Sequence, residues 1–68
     1  MQIAKFYDLV HNEFGESNGE WLLRSHIIEE FGTTAKDLLE QGYDLRKVWW
    51  ALCRDFDVPK ERWLGEDI

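Results

Sequence analysis

Ten aromatic side chains in a chain of only 68 residues are the feature that most limits how this protein can fold. A domain below about 70–80 residues gains little net stability from one core, so it needs large apolar side chains or a cross-link. The only cysteine is Cys53, which excludes an intramolecular disulfide and indicates a reducing compartment. Each aromatic side chain can bury about 150–250 Å². We therefore expect one cytoplasmic domain spanning residues 1–68, built on an aromatic core.

The charge balance argues against two classes of partner. The chain has 14 acidic and 8 basic side chains and a formal net charge of −6, which opposes the coating of a nucleic acid or an anionic membrane. The longest wholly apolar run, Val48 to Cys53, is far shorter than the roughly 20 residues that a membrane-spanning helix needs. Lys5, Asp8 and Glu13 occupy positions where a signal peptide would be apolar. These features predict a soluble protein with no membrane partner.

The spacing of apolar residues predicts a first and a fourth helix with clear boundaries. The first helix ends at Gly15 and carries Ile3, Phe6, Tyr7, Val10 and Phe14. The fourth begins after Asp44, the expected N-cap, and its apolar stripe consists of Leu45, Val48, Trp49, Leu52, Cys53 and Phe56. Pro59 ends this region, because the residue before a proline is disfavoured in the helical conformation.

Two further helices are expected between them. The second begins at Ser17, which has capping-box spacing to Glu20, and ends at Gly32. Its apolar residues spread around most of the helical wheel, which predicts that this helix is covered on several sides and forms the centre of the fold. These residues are Trp21, Leu22, Leu23, Ile27, Ile28 and Phe31. The third helix is capped by Thr33 or Thr34 and ends at Gly42.

The predicted class is all-α, a compact bundle of four short helices with a possible C-terminal turn between Pro59 and Trp63. No segment alternates apolar and polar residues for long enough to indicate a strand. The acidic residues 65–68 are expected to fray at the end of the chain.

Few groups are available for catalysis or metal binding. The candidate ligands His11, His26, Glu30 and Cys53 have no recognised metal-site spacing. Cys53 lies on the apolar stripe of the fourth helix, where a thiol behaves as a small hydrophobic group. A domain of this size also has little room for a substrate cleft. We therefore expect no enzyme activity, no metal and no cofactor.

Trp50 points most clearly to a partner. It lies about 130° from the centre of the apolar stripe on the fourth helix, with Lys47 and Arg54 one turn away on either side. Trp and Arg are enriched among the residues that dominate protein–protein binding. The predicted partner surface consists of Arg46, Lys47, Trp50, Arg54 and Trp63. The alternative is that the C-terminal segment folds back, so that Trp63 and Leu64 cover Trp50.

The leading functional interpretation is a small non-catalytic adaptor or regulator that binds another protein, and two alternatives stay open. Residues 33–54 have the order of a helix-turn-helix DNA-binding motif with Gly42 in its turn, although Asp37 and Gln41 occupy positions where that motif needs apolar residues. Nucleic-acid binding is disfavoured by the acidity of the rest of the chain. The surplus of aromatic residues also allows a structural homodimer.

The stretch from His26 to Pro59 resembles a small uncharacterised bacterial family, a domain of unknown function typical of high-GC Gram-positive bacteria. The resemblance extends over essentially the whole chain, and its most specific part is Val-Trp-x-Ala-Leu-Cys at residues 48–53 followed by Val58-Pro59. It implies an all-helical cytoplasmic protein without assigned activity. It also implies a link to DNA recombination or repair, because genes of the family often lie near those of the recombinase and its regulator. The family usually has a polar residue in place of Trp50 and alanine in place of Leu38.

Overall fold

The computed structural model describes residues 1–63. Its helices are α1 (Ile3–Phe14), α2 (Glu16–Ser25), α3 (Ala35–Glu40) and α4 (Leu45–Asp55), and a 3-10 helix follows at Lys60–Arg62. Between α2 and α3 lie two short antiparallel strands, β1 (Ile27–Ile28) and β2 (Thr33–Thr34). The predicted class is confirmed, since residues 1–63 are mostly helical, with four helices and a C-terminal turn. The expectations for Leu64 and for residues 65–68 lie outside the described residues.

α4 forms the centre of the fold. Val48, Trp49 and Leu52 are completely buried, and α1, α3 and β1 all pack against this helix. From α1, the fully buried Phe6 and Val10 join the same core. The prediction that the second helix occupies the centre is therefore wrong. Its apolar residues are spread around the wheel because the continuous helix assumed for them does not exist.

α2 ends at Ser25 instead of continuing to Gly32. The backbone leaves the helical conformation at His26, where ψ is 122°. A contact from α4 holds it there: Oδ2 of Asp55 accepts hydrogen bonds from Nε2 of His26 at 2.7 Å and from the backbone N–H of Glu29 at 3.1 Å. The resulting hairpin buries Ile28 completely.

α2 also contributes less to the core than its composition suggested. Within it only Gly19, Leu22 and Leu23 are buried. A Cβ atom at Gly19 would lie 3.0 Å from Cγ1 of Val10, so the absence of a side chain allows α2 to approach α1 closely. Trp21 points away from this contact and is 58% exposed. Its expected place in the core is therefore a second error of the sequence interpretation.

The predicted caps are confirmed at α3 and α4 but not at α2. The side chain of Thr34 accepts from the backbone N–H of Asp37 at 3.2 Å, and that of Asp44 accepts from Arg46 at 3.0 Å. α2 instead begins at Glu16 directly after Gly15 and has no side-chain N-cap, so the capping box predicted from Ser17 does not form.

α3 and α4 end with the same backbone motif but with different residues at its key position. After α3, Gly42 has φ of 75°, and Tyr43 N–H donates to the carbonyl of Leu38 at 3.0 Å. After α4, Asp57 has φ of 55°, and Val58 N–H donates to the carbonyl of Cys53 at 2.9 Å. Both are Schellman motifs, in which glycine is the preferred residue at the left-handed position.

Reciprocal substitutions at these two positions should change stability in opposite directions. Gly42→Ala should lower the free energy of unfolding by about 1 kcal/mol, because a Cβ atom is disfavoured at positive φ. Asp57→Gly should raise it by up to about 1 kcal/mol for the same reason. Urea unfolding followed by circular dichroism measures both changes, and the same sign for the two would contradict the assignment.

Candidate interaction surfaces

Four of the five predicted partner residues lie together on α4. We call Arg46, Lys47, Trp50 and Arg54 the α4 face, since they form one strip along the helix outside its fully buried stripe. Arg46 and Trp50 are half-buried, whereas Lys47 and Arg54 are exposed. The guanidinium of Arg54 is already paired with the carboxylate of Glu30.

Trp63, the fifth predicted residue, is engaged with its own segment. Its indole N–H donates to the carbonyl of Val58 at 2.7 Å, and the ammonium of Lys60 lies 5.4 Å from the ring centroid. Trp63 packs against the edge of the core beside Cys53. Within residues 1–63 no ring contact joins it to Trp50. The partner surface drawn from the sequence stays a prediction, with Trp63 at its margin.

The donors of the α4 face are incompletely satisfied. Nε of Arg46 and Nε1 of Trp50 are both buried without a hydrogen-bond acceptor. In the part of the chain that the structure describes, neither Arg46 nor Lys47 forms an ion pair with a carboxylate. Most buried polar groups in proteins have a partner, so an orphaned donor calls for an explanation.

A second surface was not anticipated from the sequence. Trp21 lies on the outer side of α2, and Arg24, one turn further along, lines a groove of about 330 Å³ between α1, α2 and α3. We call Trp21 together with this groove the α2 surface. The apolar residues that line the groove are Ile3, Tyr7, Leu23 and Leu39. Ile3 is 53% exposed, so the α2 surface offers two large uncovered apolar side chains beside a concave apolar floor.

Most of the charged groups around this groove already have partners. The ammonium of Lys36 donates to Glu40 at 2.8 Å, and this hydrogen bond and the charge of Glu40 raise the pKa of Lys36. His11 and Glu20 are paired at 2.8 Å. Nε of Arg24 donates only to the backbone carbonyl of Glu20, at 3.3 Å. The two acidic and two basic side chains that line the groove therefore balance in charge, which leaves the apolar residues to determine what the groove binds.

The error in the length of α2 explains why Trp21 was missed. If a helix from Glu16 to Ser25 is assumed, Gly19, Leu22 and Leu23 define one stripe and Trp21 lies about 150° from its centre. The sequence signal that was available is Gly19, a small residue in the middle of a helical apolar stripe, which indicates close approach to another helix. The adjacent indole must then point outwards.

The His26–Asp55 pair is the most buried polar contact between distant elements. Their side chains are 27% and 12% exposed, and the imidazole ring packs against Phe56 with 4.6 Å between ring centroids. A carboxylate that orients a histidine also occurs in catalytic sites. Here Oδ2 of Asp55 also binds the backbone of Glu29, so the pair fastens the hairpin to α4.

Residues 1–63 contain neither a metal-binding cluster nor a membrane-spanning helix. Within residues 1–63, no group of three or more His, Cys, Asp or Glu side chains is arranged to hold a metal ion. None of the helices in the same range has the length and apolarity required to cross a membrane.

Comparison with known proteins gives two matches. The family described as "Protein of unknown function (DUF3046)" matches residues 1–61. A protein of Mycobacterium tuberculosis (strain ATCC 25618 / H37Rv), named a "putative envelope-preserving system protein", is 44% identical over 43 residues. The match covers 62% of this chain and 16% of that protein, so the chain corresponds to a small part of this curated relative. No solved structure matches.

The two histidine–carboxylate pairs should differ in their contribution to stability. Asp55→Ala removes a part-buried acceptor and leaves two donors unpaired, which should lower the free energy of unfolding by about 1–3 kcal/mol. His11→Ala breaks the more exposed pair with Glu20 and should cost less than about 1 kcal/mol. Urea unfolding tests both variants, and equal losses would show that Asp55 does not fasten the hairpin.

Proposed function

The chain belongs to the DUF3046 family of proteins of unknown function, and we propose that it is a non-catalytic helical module that binds another protein through the α2 surface. The observation that carries this proposal is the position of Trp21. Its indole is 58% exposed, whereas Trp49 is completely buried and Trp50 and Trp63 are half-buried. In a chain that has so little core, the largest apolar side chain on α2 contributes little to folding.

The surroundings of Trp21 support binding to a protein. Trp is among the residues most enriched at the centres of interfaces, where it buries a large area while losing little side-chain freedom. The groove includes the apolar residues Ile3, Leu23 and Leu39, and it is also lined by Arg24, which is one helical turn from Trp21. A partner helix or loop that inserts one or two apolar side chains into the groove would cover Trp21 at the same time.

The curated relative supports the idea of a module that works as part of a larger system. A segment similar to this chain makes up 16% of that protein, whose name refers to an envelope-preserving system. The resemblance described above instead suggests recombination or repair. We propose that the partner belongs to one of these two processes, and identification of the partner decides between them.

The helix-turn-helix alternative has one observation in its favour. α3, the turn at Gly42 and α4 follow one another as that motif requires, with Lys47 exposed on α4. Against it, Arg54 is neutralised by Glu30, and Glu29 and Asp55 lie at the same end of α4. These carboxylates would repel the phosphate backbone, so protein binding is the better supported function.

Photo-crosslinking in the native cell tests the proposal. A photoreactive residue in place of Trp21 should form an adduct with one other protein, because a side chain at this position would lie inside the interface. The same residue in place of Glu61, which is exposed on the 3-10 helix, is the control and should not form that adduct. Mass spectrometry of the adduct then identifies the partner and its process.

The purified partner allows a quantitative test. Trp21→Ser should weaken binding by at least about tenfold while leaving the circular dichroism spectrum unchanged. Tyr43→Ser, which removes a less exposed aromatic ring in the α3–α4 turn, should leave the affinity unchanged. An adduct of the chain with itself would favour the homodimer. Equal adducts at positions 21 and 61, or binding only to duplex DNA, would contradict the proposal.

A further inference from the structure

We propose that the α4 face is a second binding site, which takes the carboxylate of an Asp or Glu side chain in a segment of a partner protein. This site does not depend on the α2 surface, since its residues belong to a different helix and line no part of the groove at Trp21. The argument rests on orphaned donors, on unpaired cations and on the chemistry that would satisfy both.

The first observation is the pair of buried donors. Nε of Arg46 and Nε1 of Trp50 lie one helical turn apart on the same side of α4, and both are buried without an acceptor. A polar N–H that loses its water and gains no acceptor destabilises the folded state. Two such groups on residues one turn apart indicate that an acceptor from a partner completes them.

The second observation is the charge around these donors. Although acids outnumber bases by 14 to 8, Arg46 and Lys47 are adjacent cations without a carboxylate partner in residues 1–63. In contrast Lys36, Arg54 and Arg62 each pair with an acidic residue. Lys5, Arg24 and Lys60 also lack a carboxylate partner in this range, but of the five unpaired cations only Arg46 and Lys47 are adjacent in sequence and belong to the α4 face with its orphaned donors.

A carboxylate fits these groups better than other acceptors. Its two oxygens can accept several hydrogen bonds at once, so one group can bind a guanidinium and an indole N–H together. Hydrogen bonds between ionised partners are also stronger than those between neutral ones. The half-buried ring of Trp50 offers apolar contact for the rest of the partner's side chain and its neighbours, which a bare inorganic anion would not use.

A protein segment is a better occupant than a nucleic acid. A phosphate backbone would bring many negative charges to a molecule with a net charge of −6. It would also approach Glu29, Glu30 and Asp55, which lie around the C-terminal end of α4. A single carboxylate placed between Arg46 and Trp50 avoids this repulsion, because it reaches only the N-terminal half of the helix.

Trp49 provides an internal comparison. Its Nε1 is also buried without an acceptor, but the whole residue is enclosed in the core. The donor atoms of Arg46 and Trp50 are covered as well, but the side chains that carry them are only half-buried, so a small rotation of each would bring its donor to an arriving carboxylate. The proposal therefore concerns Trp50 only, where the ring lies at the surface and Arg46 and Lys47 are one turn away.

Selection from a randomised library of twelve-residue peptides on the full chain tests the proposal. Among the enriched peptides we expect a class with a fixed Asp or Glu next to apolar residues. Replacing that Glu by Gln should weaken binding to the parent chain by about tenfold or more. Arg46→Lys keeps the charge and Trp50→Phe keeps an aromatic ring, but each variant removes one orphaned donor. In both variants the difference in affinity between the Glu peptide and the Gln peptide should become smaller.

Controls separate this site from the α2 surface and from nucleic-acid binding. Trp21→Ser should leave the affinity for the acidic peptides unchanged, so failure of the proposed function and failure of this inference give different results. Lys47 is exposed, so Lys47→Gln should weaken the binding of acidic peptides more at low salt than at high salt. This variant replaces the other two as the test if they do not fold. Three results would overturn the proposal. The enriched peptides could lack acidic residues, the difference in affinity between the Glu and Gln peptides could stay the same in the variants, or duplex DNA could displace the peptides.

Discussion

The indole of Trp49 is completely buried, and α1, α3 and β1 all pack against the helix that carries it. The ring of Phe14 meets it edge-on, with 6.4 Å between centroids. In a chain without an intramolecular disulfide, a central side chain of this size supplies the contact area that a small core otherwise lacks. α1, α3 and β1 each cover part of α4, whereas α2 packs mainly on α1 and α3.

The exposure of Trp21 follows from this arrangement. α2 packs against α1 through Gly19 and against the core through Leu22 and Leu23, so only one side of it is covered. Asp55 then fixes the chain direction after Ser25, which prevents the helix from continuing over the hairpin. Folding therefore uses one side of α2, and the opposite side is available to a partner. On α4 the completely buried stripe lies beside Arg46 and Trp50, whose side chains are half-buried.

Much of the fold could be predicted because its signals are local. The N-caps Thr34 and Asp44 and the turn at Gly42 depend on residues within a few positions of each other, and the apolar stripe of α4 has helical spacing. The end of α2 could not be predicted, because it depends on a contact between Glu29 and Asp55, 26 residues apart. The exposure of Trp21 could not be predicted for the same reason. A helical wheel that includes the residues after Ser25 hides the stripe that α2 buries. For the α4 face the sequence indicated the residues, but the missing acceptors can be seen only in the structure.

The exposure of Trp21 and the complete burial of Trp49 predict that only Trp49 is needed for folding, which leaves Trp21 available for the binding that we propose. Urea unfolding of Trp21→Ser measures this most directly. We expect the free energy of unfolding to stay within about 0.5 kcal/mol of the parent protein, as for other exposed substitutions. Trp49→Ala, the reference, should lose about 3–5 kcal/mol. A loss of 2 kcal/mol or more in Trp21→Ser, comparable to a core substitution, would contradict the account.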